Sequence, residues 1–221
     1  MSSNLEPIPW GQVGQRPPSE MKQAGMVIDL RRCIGCHSCS ISCKTEHEVP
    51  LGTFRTRVHY VEKPESPQLA FVPMLCMQCK DAPCMPACPT SALSRLDDGR
   101  IVVEEEACNG TKACVAACPY DAIAIHPQTN KAMKCDFCEH RAAVGMEPAC
   151  VESCPTTALR FGDLGDESDP VTQYAKHHDA KAYKADAGTD PSVLYIGHDE
   201  WMEAAAKGVQ LGDDEAGIVY E

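Results

Sequence analysis

The residues of this chain that are best suited to chemistry are its 15 cysteines, which are confined to four compact runs within 221 residues. Closely spaced thiolates joined to one more distant cysteine are typical of the way a protein binds an iron–sulfur cluster. Four runs predict four clusters, and four clusters in one small chain predict a function in electron transfer. Numbered in chain order, the runs are Cys33-x2-Cys36-x2-Cys39-x3-Cys43, Cys76-x2-Cys79-x4-Cys84-x3-Cys88, Cys108-x5-Cys114-x3-Cys118 and Cys135-x2-Cys138-x11-Cys150-x3-Cys154.

Disulfides and zinc explain this pattern less well than iron does. A disulfide framework pairs an even number of cysteines in a secreted chain, whereas this chain has 15 cysteines and no apolar signal-peptide core between Met1 and Gln23. A zinc site is usually built from two Cys-x-x-Cys pairs, so it would leave the third cysteine of run one without a role. Run four alone could form a zinc ribbon, but beside runs one and two it indicates iron.

The composition argues against several functions. The chain is acidic, with a formal net charge of −12, and lacks the cationic surface that binding to nucleic acid phosphates requires. No apolar run approaches the roughly 18 residues that span a bilayer, and Arg31-Arg32 belongs to the first cluster motif rather than to an export signal. We therefore expect any membrane attachment to come from a partner. Aromatic residues make up only 5% of the chain, so the apo-protein should be largely unfolded without the free energy of metal binding.

A repeated phrase points to duplicated structural units. The phrase Cys-Pro-x-x-Ala-[Leu/Ile] occurs three times, starting at Cys88, Cys118 and Cys154. Each copy predicts a short strand, the first two predict hairpins, and the three-residue gap before each fourth cysteine predicts a helical turn. The predicted fold is α+β, with two ferredoxin-like βαββαβ units that hold two clusters each. The predicted strands are 26–30, 54–61, 92–96, 101–103, 122–126, 131–134 and 158–161.

The remaining sequence falls outside the repeat. We predict an N-terminal extension over 1–25 and a four-cluster domain over 26–164, with an insertion over 44–75. An acidic extension over 165–221 follows. Neither this extension nor the insertion contains a cysteine. We interpret both as packing or docking surface, with the C-terminal extension lying against a larger subunit.

Local patterns in the C-terminal extension predict two helices. One covers 171–185, and a second covers about 200–207 with Asp199 placed to cap it. The pair His177-His178 lies in the first of these helices. We interpret this pair as solvated rather than metal-binding, because no further ligand stands at a recognisable spacing.

Run three lacks one expected cysteine, and Thr111 stands in its place. A threonine hydroxyl is a poor iron ligand beside thiolates, because it stays protonated and hard where soft sulfur is preferred. The cluster bound through Cys108 and Cys114 is therefore predicted to be [3Fe-4S]. The alternative is a [4Fe-4S] cluster whose fourth iron takes water or the Thr111 oxygen. Because net charge is a main determinant of potential, this centre should titrate apart from the others.

Four stretches carry a specific family resemblance: MVIDLRRCIGCHSCSISC (26–43), VPLG (49–52), CMQCKDAPCMPACPTSAL (76–93) and KCDFCEHRAAVGMEPACVESCPTTALRFGDL (134–164). The region that they mark out resembles the four-cluster iron–sulfur (beta) subunit of the DMSO reductase, or complex iron–sulfur molybdoenzyme, family. Within that family it is most similar to branches that pair with polysulfide, thiosulfate, tetrathionate, sulfite or arsenic oxidoreductases.

The resemblance also implies which runs share clusters. Spacing alone leaves two arrangements open, since either adjacent runs pair, or the outer two pair and the inner two pair. The family implies the second arrangement. Cluster one would take Cys33, Cys36, Cys39 and Cys154, and cluster two would take Cys135, Cys138, Cys150 and Cys43. Cluster three would take Cys76, Cys79, Cys84 and Cys118, and cluster four would take Cys108, Cys114 and Cys88, with Thr111 at the vacant position.

The resemblance implies an electron-transfer subunit of an oxidoreductase, with no catalytic residue of its own. A separate large subunit would hold a molybdenum or tungsten bis-pterin centre near cluster one. Cluster four would face a membrane anchor, a quinone-reactive subunit or a soluble carrier. The cofactors would carry the redox chemistry, while this chain supplies spacing and insulation.

Other functions and locations stay open on the sequence alone. One alternative is the equivalent subunit of a hydrogenase, formate dehydrogenase or quinone reductase complex. Another is a free-standing polyferredoxin, against which the segments 44–75 and 162–221 argue, because a bare carrier needs little beyond its clusters. We expect the complex to be exported to the periplasmic side by a partner's signal, with a cytoplasmic membrane-associated complex as the alternative.

Overall fold

The computed structural model describes residues 20–62 and 69–198. These contain ten short strands and six short helices, a mixed composition that confirms the predicted α+β class. The strands are β1 Ala24–Asp29, β2 Thr56–Glu62, β3 Leu69–Leu75, β4 Leu93–Arg95, β5 Ile101–Val103, β6 Ile123–Ile125, β7 Ala132–Lys134, β8 Leu159–Asp163, β9 Lys181–Ala182 and β10 Val193–Ile196. The helices are α1 Ser38–Glu46, α2 Cys84–Ala87, α3 Ala113–Ala117, α4 Glu139–Ala142, α5 Ala149–Glu152 and α6 Pro170–His177.

The largest sheet has four strands in the order β8-β1-β10-β9. Strand β1 lies inside it, antiparallel to β8 and parallel to β10, with Met26 opposite Phe161 on one side and Val193 on the other. All six residues of β1 are buried, as its run of apolar residues requires for a strand that is covered on both faces. This strand delivers the chain directly to run one.

Three separate hairpins complete the strands. They are β2-β3, β4-β5 and β6-β7, each antiparallel. The predicted strands at 92–96, 101–103, 122–126 and 131–134 are therefore confirmed to within one residue at each end. Gly99 makes the β4-β5 turn at φ 83°, a conformation that glycine adopts at little cost.

Four helices span the three-residue gaps that precede the last cysteine of each run. Cys39 and Cys43 lie on α1. Helices α2 and α3 end directly before Cys88 and Cys118, and α5 ends two residues before Cys154. The predicted helical turns are therefore confirmed. Among the described residues, no helix has the length and apolar character needed to cross a membrane.

The C-terminal extension differs from its prediction in two ways. The helix predicted over 171–185 ends at His177, because Asp179 takes a left-handed φ of 52° and Lys181–Ala182 then pairs with β10. The second strand of the extension, β10, inserts beside β1 in the main sheet, and no strand was predicted there. The predicted helix over 200–207 and its capping residue lie outside the described residues, as does nearly all of the segment 1–25.

The hydrophobic core is built around the cysteines. Its main cluster packs the side chains of Met26, Ile28, Phe137 and Tyr195 against thiols of the first, second and fourth runs. A second cluster packs Leu93, Ile101, Ile123 and Ala132 around Cys84 and Cys114. Cysteine supplies much of the buried surface that aromatic residues supply in other domains of this size, so whatever the thiols bind lies inside the core.

Candidate iron–sulfur cluster sites

The structure brings the cysteines together in four groups whose members act electrostatically on one another. Group one consists of Cys33, Cys36, Cys39 and Cys154, and group two of Cys43, Cys135, Cys138 and Cys150. Group three consists of Cys76, Cys79, Cys84 and Cys118, and group four of Cys88, Cys108 and Cys114. Each group combines thiols of two different runs, the outer two runs in groups one and two and the inner two in groups three and four.

Groups one and two are formed by the outer runs. The pKa of Cys39 is raised to about 12. Burial is the main cause, and the neighbouring thiols of Cys33 and Cys154 contribute. Burial raises the pKa of Cys150 well above its ordinary value, and Cys135 and Cys138 add to that rise. Because α1 packs against α5, the fourth cysteine of each outer run faces the other run's triplet.

Groups three and four are formed in the same way by the inner runs. Burial raises the pKa of Cys79 to about 12, with further contributions from Cys76 and Cys118. In group four, burial raises the pKa of Cys114, and Cys88 and Cys108 contribute. Helices α2 and α3 pack against each other, which again exchanges the last cysteine between the two runs.

The chemistry of these donors fits iron–sulfur clusters better than disulfides or single ions. All 15 cysteines are free, so none of the groups closes a disulfide. Within the described residues, no three His, Cys, Asp or Glu side chains converge tightly enough to hold one metal ion. A cluster needs a wider arrangement, because each of its thiolates binds a different iron. A thiolate and not a thiol is the ligand, so each cysteine that binds a cluster would lose its proton.

The repeated phrase has a specific structural role in these groups. In each copy the residue before the alanine is left-handed, at φ 53° for Ser91, 50° for Asp121 and 52° for Thr157. This turn aims the alanine N–H at the sulfur of the phrase's own cysteine, four residues earlier. The N···S distances are 3.3 Å for Ala92 to Cys88, 3.5 Å for Ala122 to Cys118 and 3.3 Å for Ala158 to Cys154. Backbone donors aimed at sulfur are suited to a thiolate that ligates metal.

The loop at Thr111 keeps the backbone of a cluster-binding loop. Gly35 and Gly110 occupy equivalent positions in runs one and three, at φ 68° and 74°. A Cβ at Gly35 would lie 2.5 Å from the ring of Phe71, and one at Gly110 would lie 2.3 Å from the carbonyl oxygen of Asn130. Thr111 therefore follows its glycine as Cys36 follows Gly35, in the same local conformation, but without a thiol.

Cys88 of group four has an unusual environment. Burial raises its pKa, but hydrogen bonds from the Thr90 hydroxyl and the Ala92 N–H outweigh this effect and leave the pKa below its ordinary value. The Thr90 oxygen lies 3.6 Å from the Cys88 sulfur. The group with the missing ligand thus contains a thiol that is readily deprotonated.

A polar network borders group two. Arg55 donates from Nε to the carbonyl oxygen of Lys134 at 2.7 Å, and its Nη2 lies 2.8 Å from Oδ2 of Asp136. Nε2 of His47 lies 3.2 Å from the sulfur of Cys138. Burial, and secondarily the positive charge of Arg55, lower the pKa of His47 to about 4, so its ring is neutral at pH 7. Group two therefore has a neutral imidazole and a guanidinium beside its thiols.

The groups are connected in pairs. Groups one and two share α1 and α5, and groups three and four share the turns of α2 and α3. Between groups two and three, Nε2 of Gln78 in run two donates to the carbonyl oxygen of Cys135 in run four at 2.7 Å. The binding loops of groups two and three are therefore in direct contact.

Exposure differs among the groups. Every thiol of group two is buried, as are three of the four in group three, where Cys118 is partly exposed. By contrast, Cys36 of group one is exposed, and Cys33, Cys88 and Cys108 are partly exposed. Groups one and four are therefore more accessible from outside than groups two and three.

Four residues of these sites were not predicted from the sequence. Gln78 lies inside run two and Lys134 directly precedes run four. Their closeness to a cysteine in the sequence is the signal that could have identified both as site residues. His47 and Arg55 lie in the insertion 44–75, where no pattern connects them to run four. The predicted pair His177-His178 lies at the C-terminal end of α6, and its rings pack edge to face 4.7 Å apart. Among the described residues no third ligand joins this pair in a metal site.

Comparison with known proteins identifies a family and several relatives of this chain. A family model described as "4Fe-4S dicluster domain" matches residues 67–164. The chain is 45% identical over 181 residues to the B subunit of tetrathionate reductase from Salmonella typhimurium, an alignment that covers 79% of this chain and 72% of that protein. It is 36% identical over 181 residues to the B component of polysulfide reductase from Wolinella succinogenes, covering 79% and 94%. It is also 36% identical over 234 residues to a Halobacterium salinarum protein named for the iron–sulfur subunit of dimethyl sulfoxide reductase, covering 89% and 88%.

All three relatives are named as subunits of reductases, one of them as an iron–sulfur subunit, and their alignments cover more than two thirds of each protein. The predicted role as a non-catalytic, electron-transferring subunit of an oxidoreductase complex is thereby confirmed. This chain therefore belongs to the iron–sulfur subunits of the DMSO reductase, or complex iron–sulfur molybdoenzyme, family.

Proposed function

We propose that this chain holds three [4Fe-4S] clusters and one [3Fe-4S] cluster, and that it conducts electrons between a molybdenum or tungsten bis-pterin catalytic subunit and a membrane-bound or soluble electron carrier. When bound, the clusters accept and release single electrons. The chain's own residues ligate the clusters, exclude water from the inner ones and set the spacing between them. The observation that carries this proposal is the set of four cysteine groups, partly accessible in groups one and four and mostly buried in groups two and three. We propose that the groups form a series in the order one, two, three, four.

The proposed ligands are the four groups of thiols. Each of groups one, two and three supplies four cysteines, one for each iron of a [4Fe-4S] cluster. Group four supplies three, which is the number that a [3Fe-4S] cluster requires. The exposed Thr111 occupies the position of the missing ligand in a loop of unchanged conformation, which supports the loss of one iron rather than the loss of the cluster.

We propose that the two pairs of groups correspond to two ferredoxin-like units. The inner unit runs in sequence as α2-β4-β5-α3-β6-β7 and contains groups three and four. The outer unit is assembled from β1 and α1 at one end of the four-cluster region and α5 and β8 at the other, and contains groups one and two. The insertion hairpin β2-β3 and the extension strands β9 and β10 lie outside both units.

We place the catalytic partner at group one. Ile34 lies between two ligands of this group with its side chain 57% exposed, and Ile41 on α1 is 62% exposed. Apolar side chains exposed next to an accessible redox group are suited to a protein interface. Group four would then face the second electron carrier, on a membrane anchor or in solution. We further propose that the assembled complex lies on the periplasmic side, exported by a partner's signal.

The experiment that tests this proposal is anaerobic purification of the native protein, with metal analysis of the eluate and identification of co-eluting chains. We expect a large subunit carrying stoichiometric molybdenum or tungsten. An iron-loaded chain that elutes alone would indicate a free carrier instead, and a partner containing nickel would indicate a hydrogenase. Fractionation of the same cells before purification would show whether the complex is periplasmic.

Cluster composition has its own test. EPR of the oxidised protein, prepared without air, should show a near-isotropic [3Fe-4S] signal that accounts for one cluster per chain. Absence of that signal from a sample with full iron content would contradict the three-plus-one composition. It would favour four [4Fe-4S] clusters, with water or the Thr111 oxygen as the remaining ligand.

A further inference from the structure

A buried lysine lies where the binding loops of groups two and three meet. Lys134 is the last residue of β7 and directly precedes Cys135 of group two. Its side chain is 2% exposed, and its Nζ donates to the carbonyl oxygens of Ile101 and Cys135, the latter at 3.0 Å. An ammonium group is rarely buried to this extent without a partner of opposite charge, because the loss of hydration is costly.

Gln78 of run two reaches the same two carbonyl groups. Its Nε2 lies 2.7 Å from the carbonyl oxygen of Cys135 and 3.3 Å from that of Ile101, and its Oε1 accepts the Ile101 N–H at 2.7 Å. The side chain of Gln78 is fully buried. The lysine of the group two loop and the glutamine of the group three loop therefore donate to the same acceptors, and direct hydrogen bonds connect the two loops.

Within the described part of the chain, no ion pair joins Asp or Glu to Nζ of Lys134. The charge of Lys134 acts on Asp136, but that carboxylate is already paired with Arg55 at 2.8 Å. The same charge lowers the pKa of Cys84 in group three, against the larger effect of burial. Thiolate-ligated clusters on either side would supply the negative charge that this lysine lacks.

We infer that Lys134 is a fixed positive charge shared by clusters two and three, and that it raises the reduction potentials of both. This inference rests on the proposed function. Reduction adds one negative charge to a cluster, and a buried positive charge stabilises the more negative state. Gln78 helps to position the ammonium group, because both side chains donate to the same two carbonyl oxygens. The clusters provide the negative charge that a paired carboxylate would otherwise provide. Lys134 is thus a tuning residue for the two buried clusters in the middle of the series.

The test is an EPR-monitored redox titration of the whole complex with two neutral variants, Lys134→Met and Lys134→Gln. The glutamine variant removes the charge but keeps N–H donors for the two carbonyl groups. We expect both variants to make clusters two and three about tenfold harder to reduce, which is about 59 mV for a one-electron couple. Clusters one and four should change less, because they lie at the ends of the series. Lys176→Met, which removes an exposed lysine on α6, is the matched control and should shift none of the four.

Several outcomes would decide against the inference. Wild-type potentials in Lys134→Gln, with all clusters present, would show that the lysine acts through its hydrogen bonds and not its charge. Equal shifts of all four clusters would also overturn it. If both neutral variants lose clusters two and three, Lys134→Arg decides: retention of these clusters supports a required charge, and their loss contradicts it. A wild-type complex without iron–sulfur signals would refute the proposed function instead.

Discussion

The imidazole of His47 offers a quantitative test of how this chain tunes a cluster. Nε2 of His47 lies 3.2 Å from the sulfur of Cys138 in group two, and the side chain is almost buried at 9% exposure. Burial is the main reason that its pKa is lowered to about 4, so the ring carries no charge between pH 6 and pH 8. With its N–H on Nε2, the ring donates a hydrogen bond to the thiolate. The perturbation that we consider is His47→Phe, which keeps a ring and removes the donor.

The expected magnitude follows from the charge on the acceptor. A hydrogen bond to a charged group contributes about 1.5–3 kcal/mol, and one between neutral groups contributes about 0.5–1.5 kcal/mol. A reduced cluster carries more negative charge on its sulfurs than an oxidised one. The hydrogen bond from His47 is therefore stronger to the reduced cluster, by part of the difference between these two ranges. A difference of about 1 kcal/mol corresponds to about 40 mV for a one-electron couple. Loss of the donor destabilises the reduced state, so the potential of cluster two should fall by about this amount.

The assay is EPR-monitored titration of cluster two in the intact complex, at two values of pH between 6 and 8. The shift should be the same at both, because the ring is neutral throughout this range. His140→Phe is the matched control, since the His140 ring packs edge to face on His47 but its Nε2 bonds Glu46 and not a thiol. An unchanged potential in His47→Phe, or an equal shift in His140→Phe, would refute the assignment of His47 as a hydrogen-bond donor to the cluster.

Other predictions concern ligands and backbone. Cys154→Ser should remove cluster one, with about a quarter of the iron, and keep the [3Fe-4S] signal. Metal analysis and EPR check this prediction. Loss of the [3Fe-4S] signal instead would favour pairing of adjacent runs. Thr111→Cys should add one iron and abolish the [3Fe-4S] signal, whereas an unchanged signal would show that the missing thiol is not the cause. Gly35→Ala should lower the free energy of unfolding by about 1–2 kcal/mol, because alanine is strained at the left-handed φ of this position. Contact of the new Cβ with the Phe71 ring should lower it further, and cluster one should be lost. The control Gly52→Ala, left-handed but with open space around it, should show the backbone effect alone in chemical denaturation and retain its iron.

The sequence by itself was sufficient for the class of cofactor and for most local structure. Cysteines two or three residues apart are held close by the short covalent connection between them, so their spacing constrains what they bind wherever the rest of the chain lies. Local backbone preferences act in the same way. They account for the strand 101–103 and for the helical turn between Cys39 and Cys43, because each depends on residues within a few positions.

The tertiary structure decided which runs meet. Two pairings of the runs were open, because a long loop places little restriction on where its ends lie. In the structure, packing of α1 against α5 brings Cys154 to Cys33, and Cys43 to Cys150, across more than a hundred residues. No local pattern contains that contact.

Long-range packing also determined features that had no local signal. Strand β10 joins β1 in parallel, and its partner β9 then ends the helix that was predicted to continue to residue 185. Arg55 and His47, from a segment without cysteines, border the thiols of run four. The sequence thus determined the number of sites and the kind of metal centre. The fold determined which runs share a site and which charges lie beside it, because both depend on contacts between residues that are remote along the chain.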